Sequence, residues 1–131
     1  MTDHSLSARV YYEDTDAGGI VYHATYLRWA ERARTEWLRD LGITQQALRD
    51  ESGLGFVVSR LGIDYLAPAR LDDDITVTTT LEELGRASLK LRQDVQRGST
   101  RLATLLVIVA CINADGHVAR LPEALYKKLQ G

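Results

Sequence analysis

Residues 25–41, TYLRWAERARTEWLRDL, decide the fold. Tyr26, Trp29, Ala30, Ala33, Trp37 and Leu41 recur at the spacing of one helical face, while Arg28, Glu31, Arg32, Glu36 and Arg39 fill the opposite one. Thr25 stands where an N-cap belongs, and Gly42 where a helix-ending glycine does. The stretch predicts one long amphipathic helix whose apolar stripe must lie against another layer. A shorter helix is expected at 44–50, TQQALRD.

Outward from the helix, the sequence alternates as strands do. Upstream, Arg9–Asp14 (RVYYED) predicts a short strand, and Thr15–Val21 with Gly18-Gly19 predicts a loop. Downstream, Phe56–Leu66 is extended and ends near Pro68. Ile75, Val77, Thr79 and Leu81 alternate with Thr76, Thr78 and Thr80. After a turn at Leu84-Gly85-Arg86, Leu89, Leu91 and Val95 alternate with Lys90, Arg92, Asp94 and Gln96, which gives that strand one wet face. Gly98-Ser99 turns the chain into Leu102–Ile112, apolar on both faces and so expected to be a central strand covered on both sides. Asn113–Gly116 turns again, and Pro122 predicts the first position of a short terminal helix. Antiparallel strands with one long helix make an α+β layer fold over a single domain, 1–131. The doubly apolar strand calls for a partner subunit, which predicts a homodimer.

Composition narrows the function classes. The chain has 131 residues, 45% hydrophobic and 26% charged, with 16 basic against 18 acidic residues and a formal charge of −2. That profile fits an ordinary soluble domain, and it argues against a nucleic-acid binder that relies on bulk positive charge. The single cysteine, Cys111, allows no intramolecular disulfide and suits a reducing, cytoplasmic compartment. Met1–Ala8 lacks an apolar h-region, so no secretory signal is expected, and no stretch is long enough to insert in a membrane.

The chemistry concentrates in residues 9–26, RVYYEDTDAGGIVYHATY. Three acids, Glu13, Asp14 and Asp16, stand beside a double glycine just before the long helix. A glycine loop lets backbone approach a ligand, and a helix start offers free N–H groups and a positive dipole end. Together they can polarise a carbonyl oxygen while a nearby acid acts as nucleophile or base. The same residues also suit a plain turn and cap. His4, His23 and His117 lack metal-ligand spacing, so no metal is expected. No G-x-S-x-G elbow, no G-x-G-x-x-G and no phosphate loop occurs.

The string YYEDTDAGGIVYHATYLRWAERAR (11–34), with IDYLAPARLDDD (63–74), resembles thioesterases of the 4-hydroxybenzoyl-CoA thioesterase type, closest to the bacterial Tol–Pal-associated acyl-CoA thioesterase branch. The resemblance implies the hotdog fold, an antiparallel sheet wrapped around one long helix, and edge-to-edge dimers that often pair into tetramers. It implies hydrolysis of acyl-CoA to free acid and CoA, with Asp16 as nucleophile or general base and the helix N-terminus around His23 polarising the thioester carbonyl. His23 and Tyr12 match assisting positions. Gly19, Val21 and Tyr22 fall in the loop and oxyanion region. Tyr26 falls by the acyl pocket. Glu31, on the helix, is the backup acid. Arg60, Arg70, Arg86, Lys90 and Arg92 are candidates for the CoA phosphates, although each also reads as solvated surface charge. No cofactor is implied, because CoA is part of the substrate. The alternatives are a non-catalytic module that binds acyl-CoA or acyl carrier protein, a dehydratase of 3-hydroxyacyl thioesters, and an envelope scaffold.

Overall fold

A computed structural model describes residues 3–131; Met1 and Thr2, with the part of the N-terminal expectation that falls on them, lie outside the described residues. The sheet has five strands: β1 (His4–Arg9), β2 (Gly55–Tyr65), β3 (Asp74–Leu84), β4 (Ser88–Arg97) and β5 (Thr100–Ile112). Their order is β1-β3-β4-β5-β2, with every neighbouring pair antiparallel. Helix α1 (Thr25–Asp40) packs on one face, α2 (Gln45–Ser52) follows it, and α3 (Glu123–Gln130) closes the chain. Register shifts at Val58/Arg60, Leu81/Glu83 and Val95/Gln96 add local twist, which lets a flat ladder curl around a helix. The result is the hotdog arrangement.

The core is the seam between α1 and the inner sheet face. Trp29, Ala30, Ala33 and Trp37 meet Val77, Leu89, Leu91, Leu105 and Val107, all buried. Both tryptophans are buried within the chain's own core. Cys111 is a buried small core side chain. Gly42 takes φ +80 after α1, the left-handed turn that glycine adopts without strain.

Three expectations need correction. Arg9–Asp14 is not a strand: β1 runs earlier, at His4–Arg9, and Tyr12–Asp14 is a single 3-10 turn. The Asp14 carboxylate accepts the Tyr11 N–H at 2.9 Å, a local bond that competes with a ladder. Thr25 is not the N-cap. It is the first residue of α1, behind Ala24, and its buried hydroxyl faces the Asp14 carbonyl at 3.5 Å. Pro122 sits at the N-cap of α3 in an extended conformation (ψ 144), one position before the expected one. Strand β5 lies inside the sheet, between β4 and β2, and within this one chain its outer face stays open, with Leu106 45% exposed. Helix α2 does form near 44–50, capped by the Thr44 hydroxyl and running to Gly53.

Candidate active site

The Asp16 loop is a small closed hairpin. Thr15 and Val21 pair antiparallel, and Ile20 pairs with Arg70 in the loop before β3. The Asp16 N–H donates to the Ile20 carbonyl and the Gly19 N–H to the Asp16 carbonyl, both at 3.0 Å. The Gly18 N–H donates to Asp16 Oδ1 at 2.9 Å. One carboxylate oxygen is thus fixed by backbone, while Oδ2 has no hydrogen-bond partner among the described residues. Asp16 is exposed. A Cβ on Gly18 would stand 3.2 Å from Asp16 Oδ1, so any larger residue there would push the carboxylate by a few tenths of an ångström. Gly19 carries φ +77. Gly19→Ala should cost about 1 kcal/mol through that left-handed conformation alone, read as a lower urea midpoint.

The helix start divides the backbone N–H groups. The Val21 N–H donates to the Ala69 carbonyl and the Tyr22 N–H to the Asp14 carbonyl, each at 2.9 Å. Both N–H groups are thus spent on holding the loop together and against the segment before β3. The N–H groups of His23 and Ala24 have no acceptor among the described residues. They are the unsatisfied donors that a helix N-terminus presents, where its dipole is positive.

An aromatic relay fixes that start. The Tyr65 hydroxyl donates to the His23 carbonyl at 2.7 Å. Tyr65 packs edge-on against Tyr26 at 5.3 Å, and Tyr26 against Trp29 at the same distance. The buried Tyr26 hydroxyl accepts the Ala69 N–H at 2.9 Å. Burial pushes the Tyr26 phenol above its usual value despite that bond, and burial raises Tyr65 likewise. Tyr26, Tyr65, His23, Val21, Leu66 and Pro68 border an open apolar depression of about 360 Å³ beside the loop. The Tyr22 and His23 rings stand 4.4 Å apart and are exposed. Tyr12 is 82% exposed on the other flank of the loop.

Asp73 braces the same corner from the β3 side. Its Oδ2 accepts the Arg70 N–H and Arg97 Nη1, both at 2.8 Å. Burial alone would raise its carboxyl, but these bonds and the Arg97 charge hold it below the ordinary carboxylate range. Tyr65 and Arg97 hold this corner through partners 42 and 24 residues away, which no local motif announces, while Asp73 also closes a local turn with Arg70. Tyr65→Phe removes the bond to the His23 carbonyl, and should cost about 1 kcal/mol of stability and lower kcat/KM more than a control such as Tyr126→Phe.

The five basic candidates do not converge. Arg70 lies beside the Asp16 loop, and Arg60 is exposed at the bulge of β2. Arg86 lies 3.7 Å from Glu123 and stacks 4.3 Å over the Tyr126 ring. Lys90 pairs with Glu83 at 4.0 Å and Arg92 with Asp94 at 3.3 Å. Arg86 and Lys90 flank the β3–β4 turn, at the opposite end of strands roughly 30 Å long from the Asp16 loop. Glu31 is exposed and makes no ion pair within 4.0 Å among the described residues; Arg34, one turn on, donates to Gln93 at 3.0 Å.

The sequence pattern of the thioesterase superfamily matches residues 18–104. The chain is 50% identical over 115 residues to the acyl-CoA thioesterase YbgC of Haemophilus influenzae, covering 86% of this chain and 85% of that protein. It is 43% identical over 122 residues to the acyl-CoA thioester hydrolase YbgC of Escherichia coli, covering 92% and 88%. Among solved structures, a probable thioesterase from Bartonella henselae superposes with a TM-score of 0.88 at 40% identity, covering 92% of this chain and 100% of that one.

Proposed function

The chain belongs to the thioesterase superfamily and is an acyl-CoA thioesterase, and from that premise we propose that Asp16 is the carboxylate that opens the thioester. The observation that carries this reading is the state of its two oxygens: Oδ1 is pinned by the Gly18 N–H, while Oδ2 is free. Oδ2 either attacks the thioester carbonyl, forming a mixed anhydride and expelling CoA thiolate, or takes a proton from the water that attacks. The negative charge that develops on the carbonyl oxygen is met by the free N–H groups of His23 and Ala24 at the positive end of α1. His23 and Tyr12, exposed on either flank, can assist proton transfer to the leaving sulfur and placement of substrate. The depression bordered by Tyr26 and Tyr65 receives the start of the acyl group. The reaction as written needs no metal or cofactor, since CoA arrives with the substrate. Arg70, beside the loop, is the basic candidate nearest the chemistry; Arg60, Arg86, Lys90 and Arg92 would reach CoA only from a second copy of the chain.

Our reading includes a cytoplasmic homodimer or homotetramer in the Tol–Pal-associated branch, acting on acyl-CoA and with acyl carrier protein as a further thioester donor. Strand β2 supports the dimer. It is a free edge carrying exposed Val57, Val58 and Tyr65, and exposed apolar edges invite pairing. Among the described residues no helix is long and apolar enough to cross a membrane.

The test is release of CoA thiol across acyl-CoAs from acetyl to palmitoyl, with benzoyl and 4-hydroxybenzoyl included. Turnover that rises and falls with acyl size is expected. Tight acyl-CoA binding with no thiol release from any member would instead establish the non-catalytic binding module.

A further inference from the structure

Away from the Asp16 loop, α1 and the sheet border a cavity of about 180 Å³ that opens at the β2 edge. Leu38, Phe56, Leu91 and Val109 form its apolar wall, and Arg34 and Glu31 stand at its rim. Beneath it runs a polar chain inside the core. Gln93, fully buried, spends both amide hydrogens, on the Ala30 carbonyl at 2.9 Å and on the Thr79 hydroxyl at 3.0 Å. Its oxygen then accepts Arg34 Nη1 at 3.0 Å. That is the guanidinium's one hydrogen bond among the described residues, and no carboxylate lies within 4.0 Å of it. Burial lowers the Arg34 pKa, and Glu31 one turn earlier only partly offsets this through space. A half-buried cation normally has an anion beside it, because desolvation without pairing is costly.

We propose that this cavity is a carboxylate site, in which Arg34 grips the carboxylate of a small amphiphile whose apolar body fills the wall behind it. A cavity of about 150 Å³ lined by aliphatic and aromatic side chains can take up benzene, so this one suits a body of benzoate or hexanoate size. The planar guanidinium matches a carboxylate with two parallel bonds, and its remaining donors are unclaimed. The role of the Gln93 chain is to hold the fork in one orientation. The carboxylate has two possible sources: a free acid, such as the product of hydrolysis, or the distal carboxyl of a dicarboxylyl thioester.

Calorimetry of the full chain with hexanoate, and with hexan-1-ol as its neutral counterpart, reads the site without any variant. Hexanoate should bind at least tenfold more tightly than the alcohol. Arg34→Met should erase that difference, and Arg34→Lys should retain part of it. The second arm compares kcat/KM for adipyl-CoA and hexanoyl-CoA and rests on the thioesterase reading. An adipyl preference that disappears in Arg34→Lys or Arg34→Met assigns the site to the acyl chain. Hexanoate binding without that preference assigns it to the free acid. Equal binding of hexanoate and hexanol, or none of either, together with no Arg34-dependent adipyl preference, overturns the proposal. If no thioester is hydrolysed at all, the first arm still decides it.

Discussion

Asp16→Asn should lower kcat for acyl-CoA hydrolysis by on the order of 10²–10⁴-fold, the span of a positioned acid–base group, and by the upper end if the carboxylate is the nucleophile. The asparagine oxygen can still accept the Gly18 N–H, and the hairpin's main-chain bonds do not involve the side chain. Stability should therefore stay within about 0.5 kcal/mol of the parent, as for a surface substitution. KM should change little, since the neutral amide keeps the shape of the site. Only the charge and basicity of Oδ2 are removed, so lost turnover with retained fold points at the reacting atom. Glu31→Gln is the companion measurement. Glu31 sits in the second turn of α1, and its neutralisation should leave the rate within a few-fold. The assignment fails if Asp16→Asn turns over at the parent rate; a collapse in Glu31→Gln at the same time would move the acid onto the helix.

What the sequence reveals follows from how far apart the interacting groups lie. Helix α1 was legible from Tyr26 to Leu41 because its signal is a local period, and the alternation of β3 and β4 was legible for the same reason. The Asp16 loop was legible because an acid, two glycines and a helix start are adjacent. The 3-10 turn at Tyr12–Asp14 was hidden: its residues favour strands, and the Asp14 carboxylate overrides that preference with one bond to the Tyr11 N–H. Gln93 falls on the inward phase of β4, between Leu91 and Val95, but nothing local says what satisfies a buried amide there. Its partners at Ala30 and Thr79, 63 and 14 residues away, supply that. The division of N–H groups was equally hidden. Val21 and Tyr22 look as available as His23 until Ala69 and Asp14 are seen to accept from them. The basic candidates scattered because charge alone says nothing about which end of a strand faces the site.

Trp29→Ala should destabilise the protein by about 3–5 kcal/mol, the cost of truncating a large aromatic in a core that cannot fully collapse. Trp29 is 1% exposed, under α1 and against the sheet. A domain's whole stability is about 5–15 kcal/mol, so this one side chain carries a large share of it. At this chain length the loss corresponds to a fall in Tm of roughly 10–20 °C. The effect should extend to the site. Trp29 packs on Tyr26 at 71°, Tyr26 packs on Tyr65 at 84°, and Tyr65 holds the His23 carbonyl. Each edge-on aromatic pair contributes about 0.5–1.5 kcal/mol beyond its buried area. Removing the base of the stack frees Tyr26 to tilt, and with it the phenol that satisfies the Ala69 N–H. Trp29→Ala and Tyr65→Phe should therefore be non-additive, with a coupling of at least about 0.5 kcal/mol in a double-mutant cycle read by urea unfolding. A steeper fall in kcat/KM than in folded fraction at 25 °C would show the relay steering the helix start. Additive losses, with activity tracking the folded fraction alone, would leave Trp29 as core packing and remove the relay from the account of the site.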